Sequence, residues 1–585
     1  MLARTASHTI GLPGTGGALL GARVLGLILL TLAAAGCATV PVTGPVIGTQ
    51  TTLAGDYLSA RHAGKVQDTA SAAQYYGRAL EKRPMDRAIL ERAFLLDLSS
   101  GRVESAVALA ERIVDSRSDD RLGRLVLAAH AMREGAFGTA RAQVDAAGSG
   151  PLTDLVNLLI EAWALSGNGQ ADLAVARLRQ LGDAGSLNLY QAYHAALIHD
   201  LAGNTLQAED YYIAAMKIAD GASLRVVQAY GRFLERAGQR DTASSVYRTF
   251  LTEIGAHPAV GSALYRVERG QPAPARLVPT AQAGAAEAIF AFAGALARED
   301  ERGLDLPIVY LNIALYLHPN FPVAQSLLAE ILDTAGRHDM AAKVYSRVPR
   351  SSPLWANAQI QIALGLSRRE RTEEAIDTLK GVIKIAPENI DVLGSIGDLF
   401  LADENYGAAA EYYGRAIQQI DGVPQRQHWA LFHQYGIALE RSKRWDEAET
   451  ALKRALALQP NQPFVLNYLG YSWIDRGVNL DEAMAMIRTA VKLQPRNGFI
   501  IDSLGWGLYQ RGDFEDAVEQ LERAVSLEPG DPVINDHLGD AYWQVERRIE
   551  ARYQWNHTLR LDPEPDLRDQ VTRKLELGLL DGAAL

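Results

Sequence analysis

The sequence predicts an all-α fold, a solenoid of stacked helical hairpins in two arrays, and three observations carry that prediction. The first is a pattern repeated four times between Trp429 and Pro565: Gly436, Gly470, Gly505 and Gly539 stand 34, 35 and 34 residues apart, directly after Tyr435, Leu469, Leu504 and Leu538. The second is that the rest of each copy stays in step. Alanine follows at Ala448, Ala483, Ala517 and Ala551, a bulky residue at Leu452, Ile487, Leu521 and Trp555, and proline at Pro460, Pro495, Pro529 and Pro563. The third is that weaker copies continue toward the N-terminus. Small residues at the glycine and alanine positions let two helices approach closely, and proline ends the hairpin because it cannot continue a helix. A lone hairpin cannot bury its apolar face, whereas stacked copies can.

This spacing resembles the tetratricopeptide repeat, two antiparallel helices per unit of about 34 residues. The resemblance implies a superhelix with a concave groove and a convex back, with certain first-helix positions facing the groove.

In chain order, residues 1–36 read as a lipoprotein signal peptide. Arg23 precedes the uncharged run Val24 to Ala35, which is too short to span a bilayer comfortably and suits a secretory core. Ala34, Ala35 and Gly36 then lead into Cys37, the one cysteine of the chain. That run resembles a bacterial lipobox, with Cys37 as the lipidated residue, although Ala34 stands where leucine is usual. An ordinary signal peptide, or an uncleaved anchor with an incidental cysteine, is the competing reading. Acyl chains on Cys37 would anchor the protein stably to a membrane. Ala38, in place of an aspartate that resembles an inner-membrane retention signal, points to the periplasmic face of the outer membrane.

Residues 37–52 carry Pro41, Gly44, Pro45 and Gly48 without helical period and read as a flexible tether of on the order of 20 Å. Residues 53–256 form the first array. Ala72, Tyr76, Ala79 and Pro84 match one copy, and Gly203, Ala208, Tyr212 and Ala215 match another. Residues 257–282 form a break, since Pro258, Pro272, Pro274 and Pro279 oppose continuous helix, with room for one short helix near Val260 to Val267. Residues 283–565 form the second array, opening on a helix that contains Ala285, Ala288, Phe290, Phe292 and Leu296. Residues 566–585, with Leu567, Val571 and Leu575 among Arg568, Arg573 and Lys574, read as a terminal helix that caps the last hairpin.

Charge and composition exclude several classes. A net charge of −11 argues against nucleic acid as a partner, because phosphate neutralisation needs a surplus of lysine and arginine. One cysteine gives neither a disulfide framework nor a cysteine-rich metal site. No metalloprotease HExxH, phosphate-binding loop, nucleophile elbow or dinucleotide fingerprint is present outside the leader, so the reading is noncatalytic and without cofactor or metal. Paired carboxylates such as Asp446 and Glu447 sit at the starts of second helices, where they favour the helix dipole.

The candidate site is the groove of the four sharp copies. By the resemblance, His433, Asn467, Asp502 and Asp536 form one column facing it, and Ile437, Tyr471, Trp506 and Asp540 the next; Tyr509 and Trp543 stand in a third. Aromatics flanked by amides and carboxylates suit an extended peptide or a partner's helix. Packing of the same aromatics between repeats is the alternative. The acidic column does not suit capture of a terminal carboxylate.

The whole mature chain resembles a group of proteobacterial outer-membrane lipoproteins built of these repeats, most clearly over Asn467 to Pro495, Asn497 to Pro529 and Tyr310 to Phe321. Its members include the lipoprotein adaptor of a periplasmic carboxyl-terminal processing protease. The resemblance implies a membrane-tethered scaffold that brings such a protease together with substrates such as cell-wall hydrolases. A structural subunit of an outer-membrane assembly or polysaccharide-export complex is the alternative.

Overall fold

The structure, a computed structural model, describes residues 52–579 apart from 67, 182–185, 300–302 and 421. Cys37 and the tether before Thr52 therefore lie outside the described residues. The described residues form helices and no strands, in two compact units, residues 52–370 and 371–579. No described helix is long and apolar enough to cross a membrane.

The first unit begins with six helical pairs. They are α1 Leu53–Lys65 with α2 Thr69–Lys82, α3 Arg87–Ser99 with α4 Val103–Ser116, and α5 Arg121–Arg133 with α6 Phe137–Asp145. There follow α7 Pro151–Gly167 with α8 Ala171–Leu178, α9 Ser186–Ala202 with α10 Thr205–Ile218, and α11 Leu224–Arg236 with α12 Arg240–Glu253. Next come α13 Pro258–Glu268, α14 Ala281–Glu299, α15 Asp305–Leu317, α16 Pro322–Thr334, α17 His338–Tyr345 and α18 Trp355–Ser367.

The second unit holds α19 Thr372–Ile383, α20 Ile390–Ala402, α21 Tyr406–Gln418, α22 Trp429–Arg441, α23 Trp445–Leu458 and α24 Pro463–Asp475. It ends with α25 Leu480–Leu493, α26 Gly498–Arg511, α27 Phe514–Leu527, α28 Pro532–Gln544, α29 Arg548–Arg560 and α30 Pro565–Leu577.

Local chemistry sets the helix ends. Asp86, Asp120, Asn497 and Asp531 each accept a backbone N–H of the first turn, which satisfies donors that have no partner inside the helix. Within a hairpin the two helices cross at the repeat glycine. A Cβ built at Gly436, Gly470, Gly505 or Gly539 would lie 2.5–2.9 Å from Leu452, Ile487, Leu521 or Trp555, the bulky residue of the same copy. No side chain larger than hydrogen fits there without displacement. The bulky partners are fully buried, as are the alanines at 448, 483, 517 and 551.

The sequence opens a second array at Ala283, after a break at 257–282, but compactness divides the chain at Arg371. The break itself contains α13, and its extended part is pinned where Arg276 Nε donates to the Asp200 carbonyl at 2.9 Å. The α14–α15 hairpin then folds back onto the first helices α3, α5, α7 and α9 of the first array.

Four contacts hold it. Asn312 Nδ2 donates to the Leu98 carbonyl at 2.9 Å, and the Tyr316 hydroxyl lies 2.8 Å from His130 Nδ1. Gly284 faces Trp163 so closely that an added Cβ would overlap the indole. Glu287, 2% exposed, receives Tyr193 OH at 3.0 Å and Arg225 Nε at 2.8 Å. Burial raises the Glu287 pKa, but Arg225, His194 and Tyr193 together outweigh burial and hold the carboxylate below its usual range. The seating of α14 has a physical reason. Helix α14 is buried at neighbouring positions Ala285 and Ala286, Ala288 and Ile289, Phe292 and Ala293. An apolar surface that wide needs covering on several sides, and the groove supplies it.

Gly284→Ala tests the seating. Helix propensity alone favours alanine by about 1 kcal/mol, whereas overpacking against the fully buried Trp163 costs about 1–3 kcal/mol. The substitution is expected to lower the urea midpoint of the first unit. Gly365→Ala in α18, where an added Cβ meets nothing, is expected to leave the midpoint unchanged or raise it.

Candidate functional site

The sequence-predicted site lies in the second unit, where the first helices α24, α26 and α28 stand side by side. Its centre is an aromatic stack. The Trp506 ring lies 4.8 Å from Tyr509 at 9° and 4.1 Å from His537 at 17°. Trp506 and Tyr509 are half-buried, and Tyr509 meets Phe514 edge-on at 5.4 Å.

The carboxylates around this stack are engaged from within the chain. Asp502 lies 2.9 Å from His537 Nδ1. Burial disfavours the His537 imidazolium, but Asp502, Asp536 and Asp540 outweigh burial and raise its pKa. Lys574, from the terminal helix α30, donates to both oxygens of Asp536 at 2.8 Å and to Asp540 at 2.7 Å. Burial pulls the Lys574 ammonium down, and the two aspartates more than restore it. The Asp540 carboxyl also accepts Trp555 Nε1 at 3.0 Å. Burial, with Asp536 close by, pushes Asp540 up to about 7.

The other sequence-predicted residues occupy different surroundings. His433 is buried between Trp429 and Tyr468, and burial pulls its pKa down to about 4. Asn467 is buried at 8% exposure. His433 Nε2 and the Asn467 Oδ1 have no hydrogen-bond partner among the described residues. Tyr471 is buried as well, and burial followed by the Asp502 charge raises its phenol far above the usual value. Trp543 packs 5.2 Å from Trp555, under the Arg548 guanidinium and against Gly578 at the end of α30. Trp506, Tyr509, Asp502 and Asp536 are thus gathered in one place, and Trp543 belongs to the packing of the terminal helix.

In the first unit a cavity of about 800 Å³ runs beside α14, lined by Tyr190, Phe290 and Leu327 with Arg225 and Glu287 on its wall. Those two charges bond to each other, so the wall is satisfied.

Comparison with known proteins bears on the second unit. Residues 429–472 match a family model described as tetratricopeptide repeat, and residues 507–545 match one described as TPR repeat. No curated protein matches the chain in sequence. Among solved structures, yeast Tom70 is 15% identical over 90% of this chain and 95% of its own, with a TM-score of 0.32. The Cut9–Hcn1 hetero-tetramer of the APC/C is 14% identical over 86% and 98%, with a TM-score of 0.38. YrrB, described as a TPR protein with an unusual peptide-binding site, is 20% identical over 32% and 94%, with a TM-score of 0.27.

Two residues of the site escaped the sequence reading. Lys574 stands 34 residues after Asp540, so the repeat spacing places it in the same column once α30 counts as a further first helix. His537 adjoins Asp536 in sequence, and nothing in the spacing signals its bond to Asp502.

Removing the Lys574 ammonium leaves two buried carboxylates without their cation, a loss of about 3–5 kcal/mol for the end of the solenoid. Lys574→Met is expected to raise amide hydrogen exchange across α28–α30, and Asp536→Asn with Asp540→Asn is expected to restore protection. His433 supplies a pH test. Its folded pKa lies below the ordinary histidine value, so its contribution is present above about pH 6.5 and is lost as pH falls toward 4. His433→Gln is expected to flatten the acid limb of urea stability by roughly 2–4 kcal/mol between those limits.

Proposed function

We propose that this chain is a noncatalytic protein-interaction scaffold that captures a protein partner on the Trp506 face of its second unit. The observation that carries the reading is the half-buried Trp506–Tyr509 stack on the first-helix face of the second unit. Rigid aromatics give contact area at low entropic loss.

The finer reading is an adaptor tethered through lipidated Cys37 at the periplasmic face of the outer membrane. It joins a carboxyl-terminal processing protease to its cell-wall hydrolase substrates. The sequence resemblance and the lipobox-like run before Cys37 support it. Two ligands held on one chain meet at a high effective concentration, so the scaffold speeds their reaction without chemistry of its own.

Crosslinked pull-down of the full chain from its own cells, with mass spectrometry, tests the reading. Recovery of the protease with cell-wall hydrolases is expected, lost in Trp506→Ala and displaced from the membrane fraction in Cys37→Ser. Recovery of outer-membrane barrel or export components without a protease would replace the adaptor by a structural subunit.

A further inference from the structure

The first helix, α1, separates its charges by side. Its one carboxylate, Asp56, is 1% exposed and turned inward, where Arg78 Nε and Lys82 Nζ of α2 reach it at 3.2 and 2.5 Å. The outward side carries Arg61, His62 and Lys65, all exposed, and no acid. Residues 53–83 hold Arg61, Lys65, Arg78, Lys82 and Arg83 against Asp56, Asp68 and Glu81, a positive surplus in a chain of net charge −11.

A leucine sits among these cations. Ala54, Leu58, Arg61 and Lys65 follow at steps of four, three and four residues, so they share one stripe of the helix, with Tyr57 and His62 beside it. Leu58 is 63% exposed, Tyr57 meets Tyr76 edge-on at 6.0 Å and keeps 38% of its surface open, and Val66 just past the helix is exposed. A solenoid end that faces only water is polar. Exposed apolar residues among cations, without acids, are the composition of a helix lying in a membrane interface. There the apolar side chains enter the acyl boundary while arginine and lysine reach back to the headgroups.

The position in the chain names the same surface. Cys37 stands 15 residues before Thr52, which caps α1, and a coil of that length spans on the order of 20 Å. A chain held at Cys37 therefore presents α1 to the lipid before any other described helix. Leu58 and Tyr57 bury too little apolar area to hold a free protein on a bilayer. Tethering removes that demand, because the second contact is then made at a high effective concentration.

We propose that the outward side of α1 lies on an anionic lipid surface, with Leu58 and Tyr57 in the interface and Arg61 and Lys65 on the headgroup phosphates. This contact sets which way the first unit faces from the membrane. It rests on the reading that Cys37 tethers the chain.

A dye beside Leu58 tests the contact. The full chain carrying Ala54→Cys is purified from its own membranes, labelled at residue 54 with an environment-sensitive NBD group, and reconstituted in vesicles. One set of vesicles contains phosphatidylethanolamine with phosphatidylglycerol, the other phosphatidylcholine alone. Quenching by lipid spin-labelled near the headgroup is expected in the anionic vesicles. The ratio of quenched to unquenched dye is expected to fall about tenfold or more with Arg61→Glu and Lys65→Glu together, and to fall likewise with Leu58→Asp. All three positions are exposed, and an unchanged melting temperature checks that the fold is kept. A dye on Leu206→Cys, exposed on α10, is expected to remain in water.

A dye at residue 54 that reads water in anionic vesicles, or is quenched equally in phosphatidylcholine, overturns the proposal; a face that binds an acidic protein instead gives that result. The mass of the N-terminal peptide reads the tether separately. An acylated Cys37 with an unquenched dye removes the α1 contact and leaves the anchor standing. A quenched dye on a chain without acyl groups, repeated with Cys37→Ser so that only residue 54 is labelled, does the reverse.

Discussion

Each of the four sharp hairpins is closed at a helix crossing where a side chain larger than hydrogen does not fit. At Gly436, Gly470, Gly505 and Gly539 the bulky residue of the second helix occupies the space a Cβ would need. The close approach brings the apolar faces of both helices to one side, where they remain uncovered until the next hairpin arrives. Stacking follows from that exposure, and the groove follows from stacking, because first helices fall on one face and second helices on the other.

A groove made this way is an apolar surface in need of cover, and the two units meet that need differently. In the first, α14 and α15 fill it, with Gly284 against Trp163 and Glu287 between Tyr193 and Arg225. The buried ion pair adds little net stability by itself, since desolvation opposes the attraction, but it fixes where along the groove the hairpin sits. In the second, Lys574 closes the far end through Asp536 and Asp540, and His537 covers Asp502. The Trp506 face between them keeps partial access to solvent. The end of the solenoid is thus ordered by charge.

Much of the fold was legible because it depends on local spacing. Glycine and alanine in step every 34 or 35 residues specify helix, turn and crossing together. The place of Ala281–Leu317 was not legible. Its alanines and phenylalanines read as one more hairpin, and only contacts with helices some 200 residues earlier distinguish insertion from continuation, as between Asn312 and Leu98. The period assigns Asp502, Trp506 and Asp536 to one side of their first helices because an angular position on a helix follows from residue number. It could not separate Trp543, which is covered by the end of α30, from Trp506, which is not.

By itself, the sequence determined which residues form helices, where hairpins cross and which columns line a groove, since each depends on neighbours within one repeat. Tertiary structure alone decided which groove is filled and which carboxylates are already paired. Both depend on what distant segments bring to the same surface, and a single repeat carries no record of that.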